Sequence, residues 1–525
     1  MTKFTTADQI AARIPDGAVV AIPGNASILV VDHLLQAIER RFLKEGHPRG
    51  LTAYLPCTAS LGPGTGLDRL AHEGCLKRII AGSYPIYQGS PIVELVASGK
   101  VEAYNLPMGI LYALLRETAA GRDGVLTEVG LGTFVDPRQG GGRLNAATTE
   151  ELVELVQFQG RERLFYRAIP IDVALLKATS ADANGNLSME QEPQTLGARA
   201  MAMAARASGG MVFAQVTRES GPAGLHARSV VVPSNLVDQV VLAPEAPQSG
   251  ASLHDPSITG ETRVPLDVER MPVGPERIIL MRAAQHIRPG WFVNVGVGIG
   301  IDLARLLHQA KSQGAIMLST EHGAMNGLPM HQPTFGAHKN PEVIIDPTDM
   351  FDMYDGGLLD ATFLGMAEAD ELGNINVSRF GGRLMGCGGF IDITSRTKNL
   401  FFCGLLAAAG ANVSVEEGRL RIHREGRIKK LVKRAQQITL NGPAALKKGQ
   451  SVTLITERGL FRLTERGWIL HEVAPGVDPA RDIAPMMEFE LQVARDLREY
   501  EAPVLTEAGS DAWLREKIGV EAVQG

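Results

Sequence analysis

The sequence predicts an α/β protein made of two homologous open domains, each with a mainly parallel sheet. Three observations support this fold class. The chain repeats motifs at fixed spacings, each half orders its segments as strand, glycine-containing loop, helix and strand, and 525 residues suffice for about two to four domains. With 45% hydrophobic and 21% charged residues, the composition is that of a folded protein rather than a disordered one.

The clearest sign of duplication is an eight-residue motif. Residues 181–188 read ADANGNLS, and residues 369–376, which lie 188 positions later, read ADELGNIN. The same spacing relates Asp172 to Asp360, each of which opens an apolar run. Repeats at one spacing indicate repeated structural units, so we expect the two segments to fold alike.

A second pair of matching segments lies earlier in each half. Residues 14–20 read IPDGAVV, and residues 287–293, which lie 273 positions later, read IRPGWFV. Because 273 exceeds 188, the first half carries about 85 extra residues between its two motifs. The halves are therefore related but unequal.

Each early segment introduces the same order of elements. In the first half we predict a strand at residues 18–22, a short loop and an amphipathic helix from about Ser27. In the second half we predict a strand at 291–295, a glycine loop at 296–298, a helix and a further strand at 315–319. This order is the open α/β pattern.

A proline-rich segment separates the two halves. Eight prolines fall between residues 221 and 275, although residues 237–242 have the character of a strand. Such a composition is typical of a linker that crosses a surface. We predict an N-terminal domain at residues 1–230, a linker at 231–275 and a C-terminal domain at 276–525.

Charge and cysteine content exclude several classes of protein. The net charge of −6 provides no basic surface for nucleic acid. Four cysteines without a CxxC pair favour a reducing compartment over a disulfide framework or a zinc site. The amino terminus has no signal-peptide core, and no stretch reaches the roughly 18 apolar residues of a membrane helix. We therefore expect a cytoplasmic protein with no membrane and no nucleic-acid partner.

Residues 291–329 contain the best candidate for chemistry. They place Glu321 beyond the carboxyl end of the strand predicted at 315–319, which is the edge where open parallel sheets bind ligands. An ordinary surface glutamate is the plain alternative. Another is a dinucleotide fingerprint in which Glu321 binds a ribose, but the glycine spacing leaves Ile301 where the third fingerprint glycine belongs.

Five longer stretches carry the most specific signal in the sequence. They are GLGTFVDPRQGGGRLN (130–145), LFYRAIPIDVALLKATSADANGNLSMEQE (164–192), EHGAMNGLP (321–329), FDMYDGGLLDATFLGMAEADELGNINVSRFGGRLMGCGGFIDIT (351–394) and VAPGVDPARDI (473–483). These motifs resemble those of one enzyme family, the family I CoA-transferases. The resemblance is strongest to the single-chain acetate/propionate and short-chain acyl-CoA:carboxylic acid type, and succinyl-CoA:3-oxoacid CoA-transferase is more distant. The resemblance implies fused α and β halves, in agreement with the duplication.

The resemblance also implies a mechanism. The glutamate that opens the family motif E-x-G-x-x-x-G-x-P is the nucleophile, and Glu321 matches it. A ping-pong cycle through a glutamyl-CoA thioester would move CoA from a short-chain acyl-CoA to a carboxylic acid of acetate, propionate or 3-oxoacid type. CoA is then the co-substrate, with no metal and no permanently bound cofactor, and a homo-oligomer (dimer or tetramer) is expected.

Backbone N–H groups in glycine loops suit the oxyanion that forms at each carbonyl attack, because no Cβ atom blocks the approach. By the resemblance, the residues of the oxyanion hole and CoA site are Val297, Gly298, Gly386, Gly388, Gly389 and Asn374. An ordinary tight turn is the alternative for either loop. It is also the alternative for Asn374, since its duplicate Asn186 lies in the same motif.

One position departs from the family pattern. The stretch 104–109 resembles a family motif in which a glutamine at the position of Met108 donates a side-chain hydrogen bond to the oxyanion hole. Methionine cannot donate such a bond. The missing glutamine leaves a thioester hydrolase on the same scaffold as one alternative to the transferase. A second alternative is a non-catalytic CoA-binding regulatory subunit, since related α/β folds serve regulatory roles, but the intact E-x-G-x-x-x-G-x-P motif argues against it.

Other conspicuous residues are interpreted as structural. Cys387 is expected to be a small buried residue rather than an acyl-carrying thiol. His322, His331 and His338 lack ligand-like spacing and are expected to be solvated or hydrogen-bonded loop residues. The basic run 419–434 is expected to form a solvated strand face.

Overall fold

The fold is given by a computed structural model, which describes residues 3–85, 87–221 and 224–520. The chain forms two compact units. The first contains the chain up to Val264, Glu321–Asp352 and Arg383–Asp392, and the second contains Pro265–Thr320, Met353–Gly382 and the chain from Ile393. The domain limits drawn from the sequence stay a prediction.

The first unit is built on a sheet in which all neighbouring pairs of its eight principal strands are parallel. In spatial order these strands are Phe4–Thr5, Gln239–Leu242, Met211–Glu219, Val173–Ala181, Val19–Ala21, Leu51–Leu55, Leu76–Ala81 and Glu102–Asn105. Two short strands, Leu187–Ser188 and Val230–Val232, add to the sheet by antiparallel pairing.

Helices and smaller sheets complete this unit. Its helices are Ala7–Arg13, Asp32–Glu45, Pro91–Ala97, Met108–Ala119 and Ala198–Ala207. An antiparallel sheet orders the strands Gly124–Thr127, Arg161–Arg167 and Val153–Phe158, and two antiparallel pairs join Ala324–Met325 to Val343–Ile344 and Leu328–Pro329 to His338–Lys339. The core lies between the helices and the sheet, where Ile10, Leu34, Ile38 and Leu55 are buried.

The second unit repeats the parallel arrangement and extends it. Its parallel strands are Met317–Ser319, Phe292–Val295, Ala361–Leu364, Asn399–Cys403 and Ser451–Ile455, in that spatial order. Gly459–Thr464 and Gly467–Val473 continue the sheet in antiparallel fashion, and Gln492–Glu499 ends it.

The remaining elements of the second unit surround this sheet. Its helices are Pro275–Ala284, Ile299–Gln309, Gly442–Lys447, Ala502–Leu505 and Ser510–Ile518. Its short strands are Glu368–Asp370, Ile375–Asn376, Arg379–Phe380, Ala407–Ala408, Asn412–Glu416, Arg419–Arg424, Ile428–Lys429 and Leu431–Val432. Two more helices, Pro347–Asp355 and Phe390–Arg396, and the strand Arg383–Leu384 lie where the chain changes unit.

The duplication seen in the sequence recurs in the hydrogen bonds. In the first unit a carboxylate oxygen of Asp172 accepts a bond of 2.8 Å from the N–H of Val19, and in the second a carboxylate oxygen of Asp360 accepts one of 3.1 Å from the N–H of Phe292. The two contacts are equivalent: Val19 and Phe292 are related by the spacing of 273, and Asp172 and Asp360 are related by the spacing of 188. The predicted α/β class with mainly parallel sheets is confirmed.

The helix predicted from Ser27 begins later, at Asp32. Asn25 and Ile28 exchange backbone hydrogen bonds of 3.0 and 2.8 Å, which closes a tight turn, and Leu29 has a φ of +55°. A residue in this left-handed region cannot belong to a right-handed helix. The turn therefore delays the helix.

Among the residues that the structure describes, no helix is both long and apolar enough to cross a membrane. The segment predicted as a linker contributes the strand Gln239–Leu242, which pairs with Met211–Glu219 and confirms the strand character of that stretch.

Candidate active site

Glu321 lies in the first unit, two residues after the strand Met317–Ser319. Its side chain is buried, with 7% of the residue exposed. The chain then turns back on itself, and a Cβ atom on Gly323 would lie 2.0 Å from the carbonyl oxygen of Ile345. Gly323 also has a φ of +109°, so only glycine is accommodated without strain. This glycine of the E-x-G motif is thus required by the fold of the segment.

The loop 386–389 is fixed by three hydrogen bonds within the first unit. The N–H of Cys387 donates to Oδ1 of Asn105 at 2.9 Å, and the N–H of Gly388 donates to the carbonyl of Gly82 at 2.7 Å. The carbonyl of Gly388 accepts a bond of 2.9 Å from the N–H of Met108. The N–H groups of Cys387 and Gly388 therefore have protein acceptors.

Gly389 ends this loop directly beside Glu321. A Cβ atom on Gly389 would lie 3.2 Å from Cγ of Glu321 and 3.0 Å from Cζ of Phe351. Among the described residues, none accepts a hydrogen bond from the N–H of Gly389. Gly389 thus brings an unused backbone donor close to the Glu321 side chain.

The other predicted glycine loop belongs to the second unit. Val297 is 48% exposed, and Gly298 has a φ of +88° and immediately precedes the helix Ile299–Gln309. A helix amino terminus presents backbone N–H groups without partners within the helix. The loop therefore has donors to offer, as expected for an oxyanion or CoA site.

Asn374, also in the second unit, has a clear structural role. Its Nδ2 donates to Oδ2 of Asp370 at 2.9 Å, and its Oδ1 accepts from the N–H of Gly442 at 3.0 Å. In the first unit the duplicate Asn186 donates to Asp182 at 2.7 Å and accepts from Ser234 at 2.8 Å. The turn interpretation of the motif thus holds in both units, and a CoA contact of Asn374 stays a prediction.

Several buried polar side chains that were not predicted from the sequence lie around His322. This residue is 1% exposed, and its Nδ1 lies 3.9 Å from Oε1 of Glu321. Its ring packs edge-on against Phe335, with centroids 5.5 Å apart. Burial lowers the pKa of His322 to about 3, and His338 adds to that shift, so the imidazole is neutral at pH 7.

Two residues from the first half of the chain reach the same place. Asn25 and Cys57 are buried, and the thiol of Cys57 donates to Oδ1 of Asn25 at 3.3 Å. Burial raises the pKa of the Cys57 thiol to about 11, and the charge of Glu321 adds to the rise. Each follows a parallel strand of the sheet, Val19–Ala21 and Leu51–Leu55 respectively, a position that could have suggested their convergence.

The residues interpreted as structural have mixed outcomes. Cys387 is buried, as predicted, and burial raises the pKa of its thiol. His331 is exposed and His338 makes a hydrogen bond of 2.6 Å with the Asn326 carbonyl, so both agree with the expectation of solvated or hydrogen-bonded loop residues. His322 is buried and its ring nitrogens have no hydrogen-bond partner among the described residues, so the expectation is wrong for His322. The described residues contain no cluster of three or more His, Cys, Asp or Glu suited to a metal.

The basic run forms a strand, as predicted, over Arg419–Arg424. Arg419, Arg421 and Arg424 are exposed, while Leu420 is buried. The strand pairs only with Asn412–Glu416 among the described strands. The solvated strand face is therefore confirmed for residues 419–424, whereas Leu431 and Val432, later in the run, are buried in a separate strand.

Comparison with known proteins identifies the family. The chain is 39% identical to the caffeate CoA-transferase of Acetobacterium woodii, over 97% of this chain and 98% of that protein. This chain belongs to the coenzyme A transferase family. The family model described as Coenzyme A transferase matches residues 4–243. The resemblance stated from the sequence is thereby confirmed, and the protein is an enzyme of the CoA-transferase class.

Two further relatives of this CoA-transferase are informative. Acetate CoA-transferase YdiF of Escherichia coli (strain K12) is 37% identical, over 92% of both chains. The crystal structure of the acyl-CoA transferase YdiF of E. coli O157:H7, as a thioester complex with CoA, superposes with a TM-score of 0.91 at 35% identity. That superposition covers 97% of this CoA-transferase and 96% of YdiF, so the whole fold is shared.

Proposed function

We propose that this CoA-transferase moves CoA from a short-chain acyl-CoA to a carboxylic acid by a ping-pong mechanism through a glutamyl-CoA thioester on Glu321. The observation that carries the proposal is the buried Glu321 carboxylate beside the unused N–H of Gly389. The names of the relatives support the substrate class, since one is an acetate and one a caffeate CoA-transferase. The thioester complex of YdiF with CoA supports the intermediate.

The chemistry needs only the carboxylate and the two substrates. A carboxylate oxygen of Glu321 attacks the acyl carbonyl, the C–S bond breaks, and CoA leaves as a thiolate from a mixed anhydride. The thiolate then attacks the glutamyl carbonyl, the C–O bond breaks, and the donor acid departs. The acceptor carboxylate reverses both steps. One thioester is exchanged for another, so the equilibrium constant of the transfer is close to one. No other co-reactant is consumed.

Burial gives Glu321 the reactivity that a carboxylate lacks in water. A carboxylate is ionised at neutral pH without a general base. It is a weak nucleophile, so holding it in place and removing water from around it are the main contributions available to the protein. The close approach of Gly389 to Cγ of Glu321 limits the positions that the glutamate side chain can take.

Each carbonyl attack creates an oxyanion that requires preorganised donors. In the loop 386–389 we assign the N–H of Gly389 as the donor to the oxyanion, because the N–H of Gly388 already donates to the carbonyl of Gly82. Gly386 and Gly388 then shape the loop, and Val297, Gly298 and Asn374 stay predicted contacts of the oxyanion or CoA. Losing one such donor typically costs about 100-fold or more in rate. The cytoplasmic location and the dimer or tetramer also stay predictions.

Covalent labelling tests the proposal. The protein is incubated with acetyl-CoA, the thioester is reduced with borohydride, and peptides are mapped by mass spectrometry. We expect modification of Glu321, its absence in Glu321→Gln, and its retention in Glu342→Gln, an exposed glutamate of the same segment. An unmodified Glu321 in a protein that turns over normally would refute the mechanism.

The same incubation separates transfer from the two alternatives. With propionate as acceptor, a transferase produces propionyl-CoA and acetate in equal amounts. A hydrolase releases free CoA and acetate without a new acyl-CoA. A non-catalytic CoA-binding subunit produces neither product and shows no label at Glu321.

A further inference from the structure

The side chain of Asn105 joins three separate segments of the first unit. Asn105 is 1% exposed and is the last residue of the strand Glu102–Asn105. Its Nδ2 donates to the carbonyls of Ala81 at 3.0 Å and Gly82 at 2.7 Å, and its Oδ1 accepts from the N–H of Cys387 at 2.9 Å. Both N–H bonds of the amide and its oxygen are therefore engaged, so the side chain has one defined orientation.

The loop 386–389 depends on this amide both directly and through Gly82. The direct contact is the bond from the N–H of Cys387. The carbonyl of Gly82, which accepts from Asn105, also accepts from the N–H of Gly388 at 2.7 Å. A carbonyl oxygen has two acceptor positions, and both are thereby filled. Asn105 thus fixes two consecutive N–H groups of the loop, and the next donor along the chain is the N–H of Gly389.

Gly386 allows the loop to approach the Asn105 amide this closely. A Cβ atom on Gly386 would lie 2.7 Å from the carbonyl oxygen of Gly82 and 2.9 Å from Nδ2 of Asn105, which is closer than real Cβ atoms come to such neighbours. Gly386 also has a φ of +81°, a conformation that favours glycine. The contact between the loop and the amide is therefore a tight one.

The backbone of Asn105 is held by a segment that belongs to the longer first half of the chain. The N–H of Asn105 donates to the carbonyl of Gly142 at 2.8 Å, and the N–H of Leu144 donates to the carbonyl of Ala103 at 2.9 Å. A Cβ atom on Gly142 would lie 2.7 Å from the carbonyl oxygen of Asn105. Residues 142–144 therefore lie directly against the end of the strand and restrict the position of Asn105.

We propose that Asn105, supported by residues 142–144, is a positioning residue that orients the loop 386–389 so that the N–H of Gly389 faces the oxyanion. The inference rests on the proposed function, because it assigns this N–H to oxyanion stabilisation on Glu321. Asn105 acts through the loop and not on the reacting atoms. A contact that acts only in the transition state changes kcat and leaves KM unchanged, and this is the signature expected for Asn105.

Asn105→Ala tests the proposal because it removes the acceptor of the Cys387 N–H and the donors to Gly82. The enzyme is mixed in excess with acetyl-CoA, and the first-order rate constant for thioester formation on Glu321 is measured by rapid quenching and mass spectrometry. We expect the rate constant to fall at least about 10-fold, while the KM for acetyl-CoA in steady-state transfer stays within about twofold. A smaller folded fraction lowers the amplitude of this reaction and not its rate constant.

Asn186→Ala is the matched control for this variant. Asn186 lies in the same unit, and its side chain also donates to one neighbour and accepts from another, Asp182 and Ser234. Its loss removes side-chain hydrogen bonds without affecting the loop 386–389. We expect the wild-type rate constant in Asn186→Ala.

Two glycine variants test the support of Asn105 independently of its side chain. Gly141 and Gly142 have φ values of +63° and +74°, so alanine strains the backbone at both. A Cβ on Gly142 would meet the Asn105 carbonyl at 2.7 Å, whereas the nearest atom to a Cβ on Gly141 is Cα of Pro137 at 3.8 Å. We expect the rate constant of Gly142→Ala to be at least about threefold below that of Gly141→Ala.

The outcomes are distinct from those of the proposed function. A wild-type rate constant in folded Asn105→Ala would overturn the inference, and so would a raised KM with unchanged kcat, which would place Asn105 in CoA binding instead. If Asn105→Ala does not fold, equal rate constants in the two glycine variants overturn the inference. A failure of the proposed function appears in the wild-type enzyme, as absent labelling of Glu321.

Discussion

The N–H of Met108 donates a hydrogen bond of 2.9 Å to the carbonyl of Gly388, so the first residue of the helix Met108–Ala119 holds the loop that ends beside Glu321. Met108 is 2% exposed and occupies the position at which the resemblance led us to expect a glutamine donor. Its methionine side chain offers no donor, yet its backbone contact does not depend on the side chain. The departure at this position thus leaves the support of the loop intact.

Met108→Pro tests this backbone contact directly. Proline lacks the N–H group but is favoured at the first helical position, and Pro107 already has the extended conformation that a following proline requires, with ψ at 138°. We expect kcat for CoA transfer to fall about 10-fold below that of Met108→Ala, which truncates the side chain and keeps the N–H. Steady-state transfer assays measure the difference. Equal rates in the two variants would show that the bond to Gly388 does not position the loop.

Gly389→Ala tests the packing between the loop 386–389 and Glu321, the proposed nucleophile. The new methyl group would lie 3.2 Å from Cγ of Glu321 and 3.0 Å from Cζ of Phe351, so Glu321 must shift. The neighbouring side chains must move by a few tenths of an ångström, which is less than the displacement of about 1 Å that can cost about 100-fold in rate, so we expect kcat to fall about 10-fold. Gly314→Ala is the matched control, because a Cβ there meets nothing within 4 Å. A Gly389→Ala enzyme with wild-type kcat would contradict the proposed contact.

Much of the candidate site could be proposed from the sequence because its residues lie in local motifs. Glu321 and the glycine at 323 follow a recognisable strand, and the fold of this segment explains the glycine through its approach to Ile345. The duplication likewise predicted that Asp172 and Asp360 are equivalent, and their hydrogen bonds agree. Such features depend on neighbours in the chain, which a sequence displays.

The approach of Asn25 and Cys57 to His322 could be predicted only in part. Both residues follow parallel strands of the first sheet, which places them at one edge, but His322 lies more than 250 residues later, in a loop whose path is set by tertiary packing. The delayed start of the helix at Asp32 has a similar origin, because Ser27 donates to the carbonyl of Pro333 at 2.7 Å. Contacts at this separation leave no periodic pattern in the sequence.

The pair Asn374 and Asn186 allows a structural effect to be separated from a CoA contact. Both side chains make the same two hydrogen bonds in their turns, so Asn374→Ala and Asn186→Ala should each lower the free energy of unfolding by about 1–3 kcal/mol. If Asn374 also contacts CoA, as the resemblance implies, only its variant raises the KM for acyl-CoA, and we expect at least a fivefold rise. Urea unfolding and steady-state kinetics measure the two effects. The same KM in both variants would remove Asn374 from the site.

His286→Phe tests how buried histidines make stability depend on pH. Burial, followed by nearby arginines, lowers the pKa of His286 to about 3, and burial likewise lowers that of His322 to about 3 and that of His338 to about 4. Below the unfolded value of about 6.5 the unfolded chain takes up protons that the folded protein does not, so stability is full above that pH and falls as the pH drops. Between pH 7.5 and 5.5 each histidine should contribute a loss of about 1.4 kcal/mol.

His286 stacks on Phe401 with centroids 5.1 Å apart, so phenylalanine preserves the packing. Urea unfolding at pH 7.5 and pH 5.5 measures the free energy of unfolding of both proteins. We expect the two proteins to be equally stable at pH 7.5, and we expect the decrease in stability at pH 5.5 to be smaller in His286→Phe by about 1.4 kcal/mol. An equal decrease in both proteins would show that His286 is protonated in the folded state.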